Sequence, residues 1–206
     1  SYILDRNGVP RITNDCNTYI GNANSDIYLG WNNTINYKNF SLYFLIDGKI
    51  GGTIVSLTEA KLDYYGVSKR SGDARNGQYV YLQEDIIDGK LVKRPVPGIR
   101  LPDGQISPAK EYYQKIGGGQ AALSEYAYDA TNLRMREISI GYTFQDLFGK
   151  GKNLSISAVG RNLFFIYKKA RVDPDISVST SNGYSGIDCF SLPTSRSTGI
   201  TLKLSF

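Results

Sequence analysis

The stretch Ser197-Thr-Gly-Ile-Thr-Leu-Lys-Leu-Ser-Phe206 decides how this chain folds. Successive side chains of a strand point to opposite faces, so Ile200, Leu202, Leu204 and Phe206 share one side and Thr201, Lys203 and Ser205 the other. Such a strand meets an apolar medium on one face and water on the other. An apolar face closing on a terminal aromatic is the ending expected of a strand that crosses a bilayer within a β-barrel.

Composition alone hides this. Of the 206 residues 41% are hydrophobic, the mean hydropathy is −0.30, and no apolar run is long enough for a transmembrane helix. In a barrel strand lipid-facing and lumen-facing residues alternate, so only the period carries the signal. Sixteen Tyr and eight Phe stand against one Trp, and the chain is rich in Gly and Asn, a bias toward strands and turns. The class expected is all-β.

Charge and rare residues exclude several functions. The formal net charge of +5 comes from scattered Lys and Arg with Asp and Glu among them. No basic stripe interleaved with stacking aromatics is present, and nucleic-acid binding is not expected. Histidine is absent, which removes His-based acid/base chemistry, His-dependent triads and the commonest zinc sites. Cys16 and Cys189 suggest neither a metal knuckle nor a disulfide framework, leaving open one bridge between loops. No cofactor is expected. The chain opens on Ser1 with no signal peptide and reads as a piece of something longer.

The alternation recurs upstream. Leu154, Ile156, Ala158 and Gly160 oppose Ser155, Ser157, Val159 and Arg161. Ile138, Ile140, Tyr142 and Phe144 oppose Glu137, Ser139, Gly141 and Thr143. Phe40, Leu42, Phe44 and Ile46 alternate with Ser41, Tyr43, Leu45 and Asp47, and Ile27, Leu29, Trp31, Ile35 and Tyr37 with Tyr28, Gly30, Thr34 and Asn36. This predicts strands over about 26–37, 39–48, 131–144, 153–165 and 196–206, near the length of a tilted crossing. Their connections alternate short and long: Lys38-Asn39 and Gln145 to Lys152 are turns, whereas about 49–130 and 166–195 form long loops, beyond usual connection lengths. Short periplasmic turns with long extracellular loops are the asymmetry of outer-membrane barrels, and they set the C-terminus on the periplasmic side.

That topology calls for outward aromatics at the strand ends. Tyr37, Phe40, Tyr142, Phe144 and Phe206 fall at the periplasmic end, and Phe164, with Phe165 and Tyr167, at the other rim. The competing reading is a soluble β-sandwich, a carbohydrate-binding module whose core face carries the same alternation. It would bury Ile138, Ile140, Leu154, Ile156, Leu202 and Leu204 under a second sheet.

Asn132-Leu-Arg-Met-Arg-Glu-Ile-Ser-Ile-Gly-Tyr142, Val159-Gly-Arg-Asn-Leu-Phe-Phe165, Asp173-Pro-Asp175 and the final Phe206 resemble the C-terminal end of SusC/RagA-type TonB-dependent outer-membrane transporters. Ile20-Gly-Asn-Ala-Asn24, Gly30-Trp-Asn-Asn-Thr34 and Tyr37-Lys-Asn-Phe40 resemble the preceding hairpin of that family. The resemblance implies an antiparallel transmembrane barrel of 22 strands, of which these five close the C-terminal end. It implies an outer-membrane location in a Gram-negative bacterium and import of glycans or peptides too large for porins. Its expected partners are the plug domain and the rest of the barrel, a SusD-like surface lipoprotein as a lid, TonB through an N-terminal segment not found in these residues, the lipid bilayer, and barrel-assembly machinery reading Phe206 as its signal. Five strands with two open edges would leave unpaired backbone groups facing hydrocarbon, so the reading requires further strands.

Within the longer loop, Ser56 to Gly66 and Pro108 to Gly117 read as short helices, and Gly89 to Gly104 as a surface hairpin or loop. Tyr64, Tyr65, Tyr79, Tyr81, Tyr112 and Tyr113 are candidate contacts to a ligand or lid, the alternative being that they pack the loop against itself. Gly117-Gly-Gly119 reads as a flexible turn, with no Lys-Ser/Thr to make a phosphate cradle. Asp5-Arg-Asn-Gly8 begins the alternate-oxygen pattern of a cation loop, but Val9 breaks it and a solvated turn is expected. Glu84, Asp85 and Asp88 read as solvated surface carboxylates, and no catalytic site is expected. Asp173 and Asp175 are markers of the resemblance.

Overall fold

The computed structural model describes residues 3–12, 18–77, 79–88, 90–119, 121–176, 178–179 and 184–206. Cys16 lies outside them, so a bridge from it falls outside the described residues; Cys189 is an exposed free cysteine. The elements are β1 (Ile27–Tyr37), β2 (Phe40–Ile50), β3 (Thr53–Ser56), α1 (Leu57–Tyr64), α2 (Lys69–Arg75), β4 (Tyr79–Ile87), β5 (Lys90–Arg100), β6 (Ile106–Pro108), α3 (Ala109–Gly117), β7 (Ala127–Asp129), β8 (Asn132–Phe144), β9 (Asn153–Lys168), β10 (Ile187–Asp188) and β11 (Ser197–Ser205). The chain divides into two compact units, Ser1–Ile20 with Val55–Ala127, and Gly21–Ile54 with Tyr128–Phe206.

The second unit is built on a five-stranded antiparallel sheet in the order β1-β2-β8-β9-β11. Lys38 takes the left-handed conformation, φ 53°, that a tight hairpin needs, and brings Tyr37 opposite Phe40. In the turn between β8 and β9, Asp146 (φ 51°) accepts the Gly151 amide at 2.6 Å, with Gly149 and Gly151 also at positive φ. The strands stay in one up-and-down meander, and β1 and β11 are open edges; within this chain the sheet does not close into a barrel. β9 runs past Phe165 to Lys168 because β8 continues to pair with it as far as Asn132.

Register sorts the side chains. Across β1, β2 and β8, Ile35, Leu42 and Ile140 line up on one face, as do Tyr37, Phe40 and Tyr142; across β8, β9 and β11, Tyr142, Ile156 and Leu202 line up. Among the described residues every charged side chain of these five strands lies on the opposite face, with Asp47 beside Arg134 and Glu137 beside Arg161. The apolar face is open: Ile140 is 55% exposed, Ile200 75% and Leu202 67%. Edge-to-face ring contacts run along its turn end, Phe40 to Tyr142 and Tyr142 to Phe144, each at 4.7 Å between centroids.

A β-bulge interrupts β8. Leu45 pairs with Glu137 and Ile46 with Met135, so Arg136 is the extra residue. The bulge reverses the parity of the strand: Met135 and Leu133 join the apolar face while Arg134 turns to the polar one.

The first unit has its own core of Ala60, Leu101, Tyr112, Tyr113, Ile116 and Tyr126. Ala109, Tyr112, Tyr113 and Ile116 form the i, i+3, i+4, i+7 stripe of α3, while Lys110, Gln114 and Lys115 face water. Ser56 caps α1 by accepting the Glu59 amide at 3.1 Å, and Gly66, φ 69°, follows its end. α2, a polar helix capped by Ser68, is an addition to the expected elements, since it has no apolar stripe to mark it in the sequence. The hairpin begins earlier than expected: β4 pairs β5 from Tyr79↔Gly98 to Ile87↔Lys90, and β6 joins them in a three-stranded sheet. A second small sheet has the order β10-β3-β7.

Gly117 is a correction to the flexible-turn reading. It is buried in the last turn of α3, and a Cβ there would fall 2.3 Å from the Ala60 carbonyl oxygen and 3.0 Å from the Tyr64 nitrogen. The glycine lets α3 touch the backbone of α1. Gly117→Ala is expected to lower the stability of this unit by about 1–3 kcal/mol, the usual cost of overpacking. Hydrogen exchange of the α1 and α3 amides measures it; wild-type protection in the variant would mean the helices separate without cost.

Candidate functional site

The densest polar constellation of the second unit lies on the polar face around the bulge. Arg134 is 2% exposed. Its Nη2 donates to Asp173 Oδ1 at 2.8 Å and its Nη1 to Thr194 Oγ1 at 3.2 Å, with Asp175 Oδ2 also at 3.2 Å from Nη1. The guanidinium sits 4.0 Å above the centroid of Phe165, its partner on β9. Arg136, carried to the same face by the bulge, donates through Nε to Asp47 Oδ2 at 2.7 Å and through Nη1 to Asn162 Oδ1 at 3.0 Å, and its Nη2 lies 3.4 Å from Asp175 Oδ2. Lys49 of β2 donates to the Pro174 carbonyl at 2.7 Å and pairs with Asp175 at 3.4 Å.

The segment between β9 and β11 is shaped to meet these cations. Asp173 accepts the Asp175 amide at 3.0 Å and the Thr194 amide at 3.2 Å, together with the Thr194 hydroxyl. Asn162, at φ 51°, spans the chain by donating from Nδ2 to the Ser195 carbonyl at 3.2 Å. Burial pushes the Asp173 carboxyl up, but the bonds from Thr194 and the Asp175 amide and the charge of Arg134 outweigh it and hold the group below the usual carboxylate range. Nearby, Lys169 and Thr131 hydrogen-bond Asp129 and bring its pKa down to about 2.

Three cations face three carboxylates, so the constellation is electrically balanced and every carboxylate is engaged. It is built to hold backbone in place. Beside it a cleft of about 310 Å³ is lined by Tyr28, Leu29, Asp47, Gly48, Lys49, Asn132, Arg136 and Asp175. Among the described residues no acidic or thiol side chains gather in a metal-binding group.

The residues singled out from sequence separate. Tyr112 and Tyr113, 6% and 5% exposed, are core residues of the first unit and pack the loop against itself. Tyr79 and Tyr81 are half-buried, Tyr81 lying over Gly8, where a Cβ would come within 2.5 Å of its hydroxyl. Tyr64 and Tyr65 are exposed and meet edge to face at 5.1 Å. Phe206 is exposed beyond the end of β11. Asp5 closes a turn, its Oδ1 accepting the amides of Asn7 and Val9, each at 2.9 Å. Glu84 and Asp85 pair with Lys93 and Arg94 at 3.0 and 3.2 Å on the β4–β5 hairpin. Glu137 and Arg161 pair with each other at 2.9 Å across β8 and β9.

The first unit holds a second charged cluster. Asp63, fully buried, accepts from Arg70 Nε at 2.7 Å, Tyr126 Oη at 3.0 Å and Ser68 Oγ at 2.5 Å. Burial works against the Arg70 charge, but the hydrogen bond and charge of Asp63 more than offset it and raise the guanidinium pKa. Burial and the neighbouring carboxylate both push the Tyr126 phenol up.

No protein-family model matches the sequence. The chain is similar to TonB-dependent receptor P3 of Formosa agariphila, 24% identical over 212 residues, an alignment covering 98% of this chain and 18% of that protein. It is 23% identical over 209 residues to TonB-dependent receptor P26 of the same organism, covering 98% of this chain and 19% of the relative. The chain thus spans about a fifth of the length of these curated relatives. Over nearly its whole length it is distantly similar to TonB-dependent receptors.

Proposed function

We propose that this chain is the C-terminal wall of a TonB-dependent outer-membrane transporter of the SusC/RagA type, importing glycans or peptides. Residues beyond this chain supply the remaining strands of the barrel, the plug and the TonB-contacting segment. A SusD-like lipoprotein covers the extracellular mouth. The observation that carries the reading is the sorting of the five-stranded sheet, whose exposed face is free of charge while its opposite face carries all the charged side chains. Lipid demands that division. The β-sandwich reading needs a second sheet over Ile138, Ile140, Leu154, Ile156, Leu202 and Leu204; of these Ile140, Ile156, Leu202 and Leu204 are exposed, and Ile138 and Leu154 are half-buried. The similarity to two TonB-dependent receptors supports the same class.

In this reading the chain supplies barrel wall and extracellular loops and performs no covalent chemistry. The exposed Tyr64 and Tyr65 are its contacts to solute or lid, and Phe206 is the assembly signal. The test is to fractionate the tagged full-length gene product and record its gel mobility before and after heating. Outer-membrane residence with a heat-dependent shift is expected, and a soluble, unshifted product would sink the reading. Phe206→Ser in the same background is expected to reduce the inserted amount severalfold. Wild-type levels of that variant would remove Phe206 from its role.

A further inference from the structure

We infer that Arg134 is a positioning residue that pins the two ends of the connection between β9 and β11, residues 171–176 and 194–195, onto the polar face of β8 and β2, so that in the assembled barrel these residues line the lumen. The inference rests on the reading of the polar face as the lumen wall. Connectivity does not require the contact: β9 and β11 are neighbours in the sheet, and a connection between them needs to cross no other strand. Yet Asp173, Pro174 and Asp175 reach back over β8 to Arg134 and Arg136 and as far as Lys49 of β2.

Both feet of the segment converge on one guanidinium. Arg134 holds Asp173 near the start and Thr194 near the end, and Asp173 in turn takes the Thr194 amide. Asn162 adds a second tie, joining Arg136 to the Ser195 carbonyl. Arg134 is almost fully buried and stacked on Phe165, so releasing the segment would leave a desolvated cation without its carboxylate. A planar fork is needed, because two feet must be bonded at once while the ring below is covered. Residues 171–176 and 194–195 are therefore fixed parts of the wall.

The test uses the full-length protein in its own outer membrane. Intact cells are treated with trypsin, and cleavage after the exposed Arg171 and Arg196 is followed by peptide mass, with heat-dependent mobility as the check on the barrel. The wild type is expected to resist. Arg134→Met keeps the apolar stem and loses the donors, and it is expected to be cut about tenfold faster, with Arg134→Lys between the two. Thr194→Val and Asp173→Asn lie off the strands and serve should Arg134→Met fail to insert; each is expected to speed cleavage severalfold. An inserted, heat-shifting Arg134→Met cut at the wild-type rate overturns the inference, as does a wild type cut as fast as an unstructured loop. Both leave the transporter reading standing. A soluble wild type sinks that reading instead, and the lumen-lining role with it.

Discussion

Arg70→Met is expected to destabilise the first unit by about 3–5 kcal/mol, the cost of leaving a buried carboxylate without its partner. Asp63 is fully buried, and Arg70 supplies its only cation within hydrogen-bonding distance among the described residues. Ser68 and Tyr126 would remain as donors, but neutral donors do not replace the cation. Tyr126→Phe, by contrast, removes one donor to the carboxylate while Arg70 stays, and is expected to cost about 1.5–3 kcal/mol. The two variants rank the electrostatic and apolar parts of this core. Hydrogen exchange of the α1 amides in the purified full-length protein reads both: several hundredfold to several thousandfold faster for Arg70→Met, and about tenfold to a hundredfold for Tyr126→Phe. Equal, small effects would mean that Ala60, Ile116 and the tyrosines hold the helices without help. The consequence reaches the surface, since α1 ends in the exposed Tyr64 and Tyr65, whose presentation depends on this cluster.

What the sequence carries is local, and what it hides is non-local. Period two is written into each of the five strands, so the apolar face from Ile27 to Leu204 can be read from residue order alone. Two register shifts, between Glu137 and Met135 and between Arg134 and Leu133, break that logic. Counting back from Ile138 by twos would send Arg136 and Arg134 into lipid, whereas the extra residue turns both to the polar face, and no residue type in Arg134-Met-Arg136 announces it. The same gap hid the charged constellation. Asp47, Arg134, Asp173 and Thr194 come from four separate parts of the chain, and only the fold brings them together. Asp173-Pro-Asp175 stands out in the sequence, but its bonds to Arg134 and Lys49 are visible only in the fold. Tyr112 and Tyr113 were legible: with Ala109 and Ile116 they make a helical core stripe, which speaks for burial before ligand contact. Gly117 was not, because its role depends on how closely α1 approaches. The polar α2 was signalled only by its Ser68 cap.

Adjacent positions on β8 give the sharpest test of which side meets lipid. Ile140 stands on the apolar face between Leu42 and Ala158, and Ser139 on the polar face between Tyr43 and Val159. An arginine facing lipid near the middle of the bilayer costs about 2–4 kcal/mol, whereas one facing the lumen is hydrated. Ile140→Arg is therefore expected to lower the heat-shifting, membrane-resident fraction of the full-length protein by about tenfold or more, and Ser139→Arg by less than about twofold. The two substitutions introduce the same side chain one residue apart, so strand propensity and net charge cancel in the comparison. Were the apolar face exposed to water, the order would reverse: Ile140→Arg would relieve an apolar patch and raise the soluble yield, and Ser139→Arg would crowd the Glu137–Arg161 pair. A membrane-resident Ile140→Arg variant at wild-type abundance would mean that this face does not meet lipid.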